Sequence, residues 1–383
     1  VMKIAGLLRK SGIKVSFADL MEYKTFGEWV VFAESKLGGT VKKAPQPQVQ
    51  ASDQAFPLTD VQYSYWVGRG TDQPMGGVDC HAYYEFEGKN VNAAKLKAAW
   101  DTVLAAHPML HTRFTADGKQ QTMPAVYPNT FSMLDLSAFA EDMQEEKLLE
   151  VRYALSHRRF DLEFGETAGI KHCICSGGRS VTCIDFALIV CDVQSIKIVL
   201  RDLAACYAAG KTPEVDHNWN FGAYMEMLQK ERAEEKAQAA EYWKTRLRTL
   251  PLRPDLPLQE KPENILSPRY THHTDTLSEE QWTMLKKRAA AADVTPAMVL
   301  LTAYSQTIHR WSANDRFLIN VPLFDRCDDF GNVSNVVADF TTLLLSEQDY
   351  SASRTFRENV QKVSADFVRD MHYAAYNGVQ IQR

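Results

Sequence analysis

The sequence predicts an α/β protein built in two lobes, and three observations carry that prediction. Strand-like apolar runs alternate with runs of helical apolar spacing along most of the chain. Prolines at 251, 254 and 257 divide this alternation into two halves, each of which contains both kinds of element. The 383 residues, 45% hydrophobic and 24% charged, supply enough mass for more than one core.

Residues 1–38 read as short helices. Val1, Ile4, Leu7 and Leu8 have helical spacing, Gly12 stops that helix, and Phe26–Phe32 is a second amphipathic piece. A segment below about forty residues does not fold alone. Residues 39–55, rich in Lys, Pro, Gln and Ala, read as an extended linker. A compact region begins at Phe56. Thr59 or Asp60 caps a helix through Val67 that Gly68 ends; Cys80–Glu87 reads as a strand; Ala93–Ala106 is a helix carrying Leu96, Trp100, Val103 and Leu104. Residues 141–159 form a charged helix, and a turn at Gly177-Gly178 joins two strands. An apolar helix is expected over 195–208, ended by Gly210, and one long charged helix over 220–249. The prolines remove backbone donors from 250–258, so 250–265 reads as a rigid connector. Beyond it, helices are expected at 278–292, 296–311 and 353–371, the second with Pro296 at its first position. Strands are expected at 317–323 and 336–345.

The stretch Ile184–Ser195 organises the rest. A run that reads as a buried strand leads to Asp192, and Ser195 follows three residues later. A carboxylate there requires a cation or several donors, because an unpaired buried charge is too costly. Asp192 either closes the strand or caps the next helix. Composition narrows the partners. A net charge of -5 gives no reason to expect nucleic acid. No apolar run is long enough to span a bilayer and the N-terminus is not a signal peptide. The seven cysteines, with Cys173-x-Cys175 the only close pair, read as reduced thiols of a cytoplasmic protein and not as a metal site. His107 and His111 read as structural, His272-His273 as surface, Tyr65 and Tyr84 as core, and Gly76-Gly77 as a turn.

Several blocks, in order, resemble the heterocyclization domains of nonribosomal peptide synthetases, relatives of condensation domains. They are Phe56-Pro57-Leu58-Thr59 with Gln62, Tyr65 and Gly68-Arg69; His107-Pro108-Met109-Leu110-His111; and Leu250-Pro251 with Pro254 and Leu256-Pro257-Leu258. Thr295-Pro296 with Ala303-Tyr304 and Trp311-Ser312, then Pro322-Leu323-Phe324-Asp325-Arg326, then Asp339-Phe340-Thr341 complete the series. Together these blocks cover nearly all of 56–383. The resemblance implies two chloramphenicol-acetyltransferase-like lobes, 56–249 and an incomplete 266–383, forming a V-shaped pseudo-dimer with a central tunnel. Residues 1–38 are similar to the C-terminal part of an acyl or peptidyl carrier domain, whose phosphopantetheinylated serine would lie before Val1. The implied cofactor is 4'-phosphopantetheine on carrier domains, with no metal. The implied partners are upstream and downstream carriers and an adjacent adenylation domain. The implied reaction condenses an acyl or aryl thioester with a carrier-bound Cys, Ser or Thr, then cyclodehydrates the product to a thiazoline or oxazoline. The residues thought to serve ring closure belong to a later motif, beyond Arg383.

The family marks its site with DxxxxDxxS where ordinary condensation domains carry HHxxxDG. Asp192 and Ser195 match, and with Asp339 they are the expected catalytic residues. Ala187 stands where the first aspartate belongs, and Leu188 where a condensation domain keeps its histidine. Asp185 is a poor substitute, since two residues along a strand displace a carboxylate by roughly 6–7 Å. By the resemblance, Asp192 should pair with Arg326 across the lobe junction. Gly68-Arg69 is either a helix cap with a solvated cation or a point of close approach near the tunnel mouth. Asp339 is expected to act in the site or to close a strand. Because of Ala187, two alternatives stand beside cyclization: a domain that only makes the amide, and a non-catalytic module that docks carriers.

Overall fold

The computed structural model describes residues 54–124, 129–215, 219–266, 268–271, 273–327 and 333–383, with 4–5, 7–8, 11, 13, 15, 19–20, 23 and 25–36 near the N-terminus. His272 and nearly all of the expected linker fall outside these residues. In the N-terminal piece, helix α1 (Phe26–Ser35) opens with a capping box between Thr25 and Glu28. Trp29 and Phe32 on α1 pack against a small separate core of Ala5, Val15 and Leu20.

The first half of the main body contains β1 (Phe56–Pro57), α2 (Asp60–Gly68), β2 (His81–Lys89), α3 (Ala93–Ala106), β3 (Thr112–Phe114), β4 (Lys119–Thr122) and β5 (Phe131–Asp135). Then come α4 (Glu141–Ser156), β6 (Ala168–Ile174), β7 (Arg179–Ala187) and α5 (Val193–Ala209). Strands in the order β2-β7-β6-β5 form the larger sheet, antiparallel except for the parallel pair β5 and β6. A small sheet has the order β1-β4-β3. Helices α3 and α5 cover one face of the larger sheet, where Trp100, Leu104, Ile184, Phe186 and Val199 are buried together. Helix α4 covers the other face over Leu148, Val151, Cys173, Cys175 and Cys183. The side-chain alternation of β7 thus feeds two cores, one on each side of the sheet.

The helix expected over 220–249 is two helices, α6 (Phe221–Glu231) and α7 (Ala233–Leu247). The backbone at Arg232 leaves the helical region (φ -96°, ψ 12°), and its guanidinium reaches Asp325 in the second half. An ion pair 93 residues away in sequence has no helical periodicity, which is why the break is invisible in the charge pattern.

The second half holds α8 (Glu279–Ala291), α9 (Pro296–His309), β8 (Arg316–Phe324), β9 (Thr341–Asp349), α10 (Phe356–Met371) and α11 (Gly378–Gln382). β8 and β9 pair antiparallel, with Phe324 opposite Thr341. Their core contains Trp243, Met298, Leu344, Leu345, Val360, Val363 and Phe367. Each core borrows from the other half of the sequence. Trp243 precedes the prolines but belongs to the second core, whereas Cys327, Val333, Val337, Ala338 and Phe340 follow them and belong to the first.

Two strand ends differ from expectation. β7 stops at Ala187, and residues 188–191 form a turn in which Val190 N–H donates to the Ala187 carbonyl at 3.2 Å. Asp192 therefore follows a turn and does not close a strand. β9 starts at Thr341 rather than near Val336.

Candidate functional site

The site is built on the first turn of α5. A helix start leaves its first amides without intrahelical partners. Asp192 is the N-cap, and its Oδ1 accepts from Ser195 N–H at 2.7 Å. The same carboxylate meets Arg326, with Nη2 2.6 Å from Oδ1 and Nε 3.1 Å from Oδ2. Arg326 Nη2 also donates to Ser195 Oγ at 2.8 Å, and Nη1 donates to the carbonyls of Val333 at 3.0 Å and Val336 at 2.8 Å. All five guanidinium donors are thereby engaged. The guanidinium carbon lies 4.3 Å from the centroid of the Phe340 ring. Ser195 Oγ donates to the Ala338 carbonyl at 2.8 Å and accepts from Ala338 N–H at 3.0 Å. Because the Ala338 backbone is bonded to α5, it cannot also extend the ladder with β8, and β9 begins three residues later. The expected Asp192–Arg326 bridge is present. Asp192 and Ser195 are fully buried, and their polar atoms hold the junction together.

Gln62 supports the turn before Asp192, a role that its place in the opening motif did not reveal. Its amide donates to the Ile189 carbonyl at 2.7 Å, and the Gln62 and Gln120 amides bond each other reciprocally at 3.1 and 2.8 Å. Gln62 Oε1 also accepts from Thr59 N–H at 3.0 Å, completing the cap of α2.

Ala187 is buried in the main core and sits opposite His81 on β2. Asp185 does not stand in for the missing aspartate. Arg158 Nη1 holds both of its oxygens, at 3.0 and 2.8 Å. Gly169, opposite Asp185, makes room for that pair, since a Cβ there would lie 2.8 Å from Arg158 Nη1.

Gly68 and Arg69 correct the reading of a glycine cap with a solvated cation. Gly68 is the last residue of α2 and has no left-handed backbone, and a Cβ added to it would meet nothing within 4 Å among the described residues. Neither a glycine cap nor close packing explains it. Arg69 is the C-cap and is not a solvated cation. Its Nε lies 2.8 Å from Asp79 Oδ1, Nη2 donates to the Phe160 carbonyl at 2.6 Å, and the group sits 5.8 Å from the Trp66 ring. It lines an open cleft with Trp66, Arg159, Phe160 and Glu163.

Asp339 is different from the other site residues. It is 1% exposed. Oδ1 accepts from Thr341 N–H at 3.0 Å, whereas the buried Oδ2 has no hydrogen-bond partner among the described residues. Burial raises its carboxyl most, the Thr341 hydrogen bonds oppose that rise, and neighbouring Asp192 adds to it; the result is about 7. Burial likewise raises Tyr65, helped by Asp339, Cys80 and Cys191.

His107 and His111 each have an ordinary structural partner on one ring nitrogen. His107 Nε2 lies 3.0 Å from Asp202 Oδ2, and His111 Nδ1 lies 2.7 Å from the Met123 carbonyl. His273 is exposed. Among the described residues no group of three or more His, Cys, Asp or Glu is placed to hold a metal.

Two α/β lobes locked at a buried junction form the architecture of the condensation-type acyl-transfer enzymes. A family model described as the condensation domain matches residues 52–383, and the chain belongs to that family. Its likeness falls on the cyclization branch. It is 33% identical over its whole length to pyochelin synthetase PchE of Pseudomonas aeruginosa (strain UCBPP-PA14), covering 27% of that protein. It is 32% identical over its whole length to phenyloxazoline synthase MbtB of Mycolicibacterium paratuberculosis, covering 33% of it. The chain thus spans about a third or less of these relatives. Among solved structures, the EpoB cyclization-docking bidomain from Sorangium cellulosum superposes with a TM-score of 0.81 at 25% identity, covering all of this chain and 80% of that one.

Proposed function

We propose that this chain is the heterocyclization unit of a nonribosomal peptide synthetase. It joins an acyl or aryl thioester on an upstream carrier to a Cys, Ser or Thr thioester on a downstream carrier. It then closes the side chain onto the new amide with loss of water. The observation that carries this reading is the full-length likeness to a cyclization domain, combined with a buried Asp192–Ser195–Arg326 junction and a leucine, Leu188, where a condensation histidine would stand.

Asp192 and Ser195 serve in this reading by holding the two lobes in register. The first stage, attack of an amine on a thioester, gains most from positioning, and a rigid junction supplies it. The second stage needs a proton donor and acceptor. The substrates arrive on 4'-phosphopantetheine arms of carrier domains, and residues 1–38 are the C-terminal part of one such carrier. An adenylation domain loads the downstream carrier, and the assembly works in the cytoplasm. Among the described residues no helix is long and apolar enough to cross a membrane.

The test is reconstitution of the full synthetase with both carriers loaded, read by mass spectrometry of the released product. The expected product is lighter by one water than the linear amide. Ala187 favours a second reading, a domain that forms the amide without closing the ring, and the linear product would establish it. No transfer at all would leave a docking module.

A further inference from the structure

We propose that Asp339 acts as a neutral carboxylic acid whose Oδ2–H donates a hydrogen bond to the carbonyl oxygen of the carrier-bound acyl group, the oxygen that becomes negative when the amine attacks. This inference rests on the function proposed above and names a substrate-contacting donor within it.

The geometry separates the two carboxyl oxygens. Oδ1 is fixed by Thr341 N–H at 3.0 Å, which suits the carbonyl oxygen of an acid. Oδ2 is buried with no partner among the described residues. A buried polar atom without a partner is costly in either protonation state, and far more costly as an anion. Asp192 at the start of α5 disfavours a further negative charge, and Tyr65 on α2, Cys80 before β2 and Cys191 in the turn, each raised by burial and then by Asp339, are neutral groups that bring no opposite charge. Arg326 opposes the rise through its charge, but its donors are all engaged by Asp192, Ser195, Val333 and Val336, which leaves none for Oδ2.

Among the described residues Oδ2–H has no acceptor, and a substrate carbonyl is one. Asp339 lies close enough to half-buried Tyr65 and exposed Cys80 to raise both, so the proposed approach of the substrate carbonyl is past these two groups. A neutral donor held in a dry, acid-lined place strengthens its hydrogen bond as charge develops on the acceptor. No proton needs to be transferred, and no histidine is required.

Two variants and one titration test this in the full synthetase with both carriers loaded. Asp339→Asn keeps a donor of the same size and cannot ionise; Asp339→Ala removes the donor. Amide formation by Asp339→Asn should stay within about threefold of the parent, whereas Asp339→Ala should lose about 100-fold or more, as for removal of one oxyanion donor. The parent rate should fall as pH rises through about 7, and the Asp339→Asn rate should not. Equal inactivity of both variants would mean that a carboxylate base is needed, and parental rates in both would mean a bystander; either result overturns the proposal. If Asp339→Ala does not fold, the two pH profiles decide alone. Carboxyl carbon-13 resonances of labelled aspartate, with Asp339→Asn identifying the signal, read the proton directly. A midpoint near 7 supports the neutral acid, and an ordinary carboxylate midpoint overturns it. That titration needs no turnover. A parent that makes no product therefore refutes the proposed function, and the donor assignment is still decided separately.

Discussion

Arg326 shows how much one side chain can decide. Its five donors join a helix cap, a serine and two backbone carbonyls from both halves of the chain. Arg326→Ala leaves Asp192 as an uncompensated buried charge and is expected to cost about 3–5 kcal/mol in urea unfolding. Arg326→Lys should recover only part of this, since an ammonium offers three donors and no planar fork. Asp339 makes the opposite contribution. Its folded value, about 7, lies above its ordinary 3.8, so the proton it holds stabilises the fold fully at low pH. That contribution is lost as pH rises from about 4 through 7, up to an order of 4 kcal/mol for three units. Asp339→Asn should therefore be more stabilising relative to the parent at pH 8 than at pH 5.5, which denaturant midpoints at the two values can check. The Asp192–Arg326 pair was legible from motif order. Gln62 and Arg158 were not, because their partners lie 127 and 27 residues away and follow no local period.

At the scale of elements, helix starts were readable and strand ends were not. Thr59, Ser278 and Thr295 cap the helices that the sequence placed at them, because the cap chemistry lies within three residues, and Thr355 caps a helix expected to start two residues earlier. The ends of β7 and β9 depend on backbone groups that bond elsewhere, as Ala338 does with α5. Helix α2 offers a direct test of Gly68. With no left-handed backbone and open space around a Cβ, Gly68→Ala should leave stability unchanged or raise it by up to about 1 kcal/mol. Unchanged melting with slower transfer would show instead that a substrate arm passes over this residue. Gly169→Ala is the contrast. Its Cβ would press on Arg158 and Asp185, so a loss of about 1–3 kcal/mol is expected by calorimetry.

The whole molecule is two cores that exchange segments. Trp243 is fully buried in the second core although it lies before the proline connector. Trp243→Ala should cost about 3–5 kcal/mol, with faster amide exchange concentrated in β9 and α10 and little change in β6 and β7, as hydrogen-exchange mass spectrometry would show. By itself the sequence determined the α/β class, the helices with their caps, the two-part division, the resemblance to cyclization domains and the pairing of Asp192 with Arg326. All of these rest on local periodicity, capping chemistry or motif order. The tertiary structure alone decided that Asp192 is a helix cap and clasp, that Arg69 is bound, that each core takes a segment from the other half, and that one Asp339 oxygen has no hydrogen-bond partner among the described residues. Those outcomes depend on which distant backbone and side-chain groups compete for the same donors, and that competition exists only once the chain has folded.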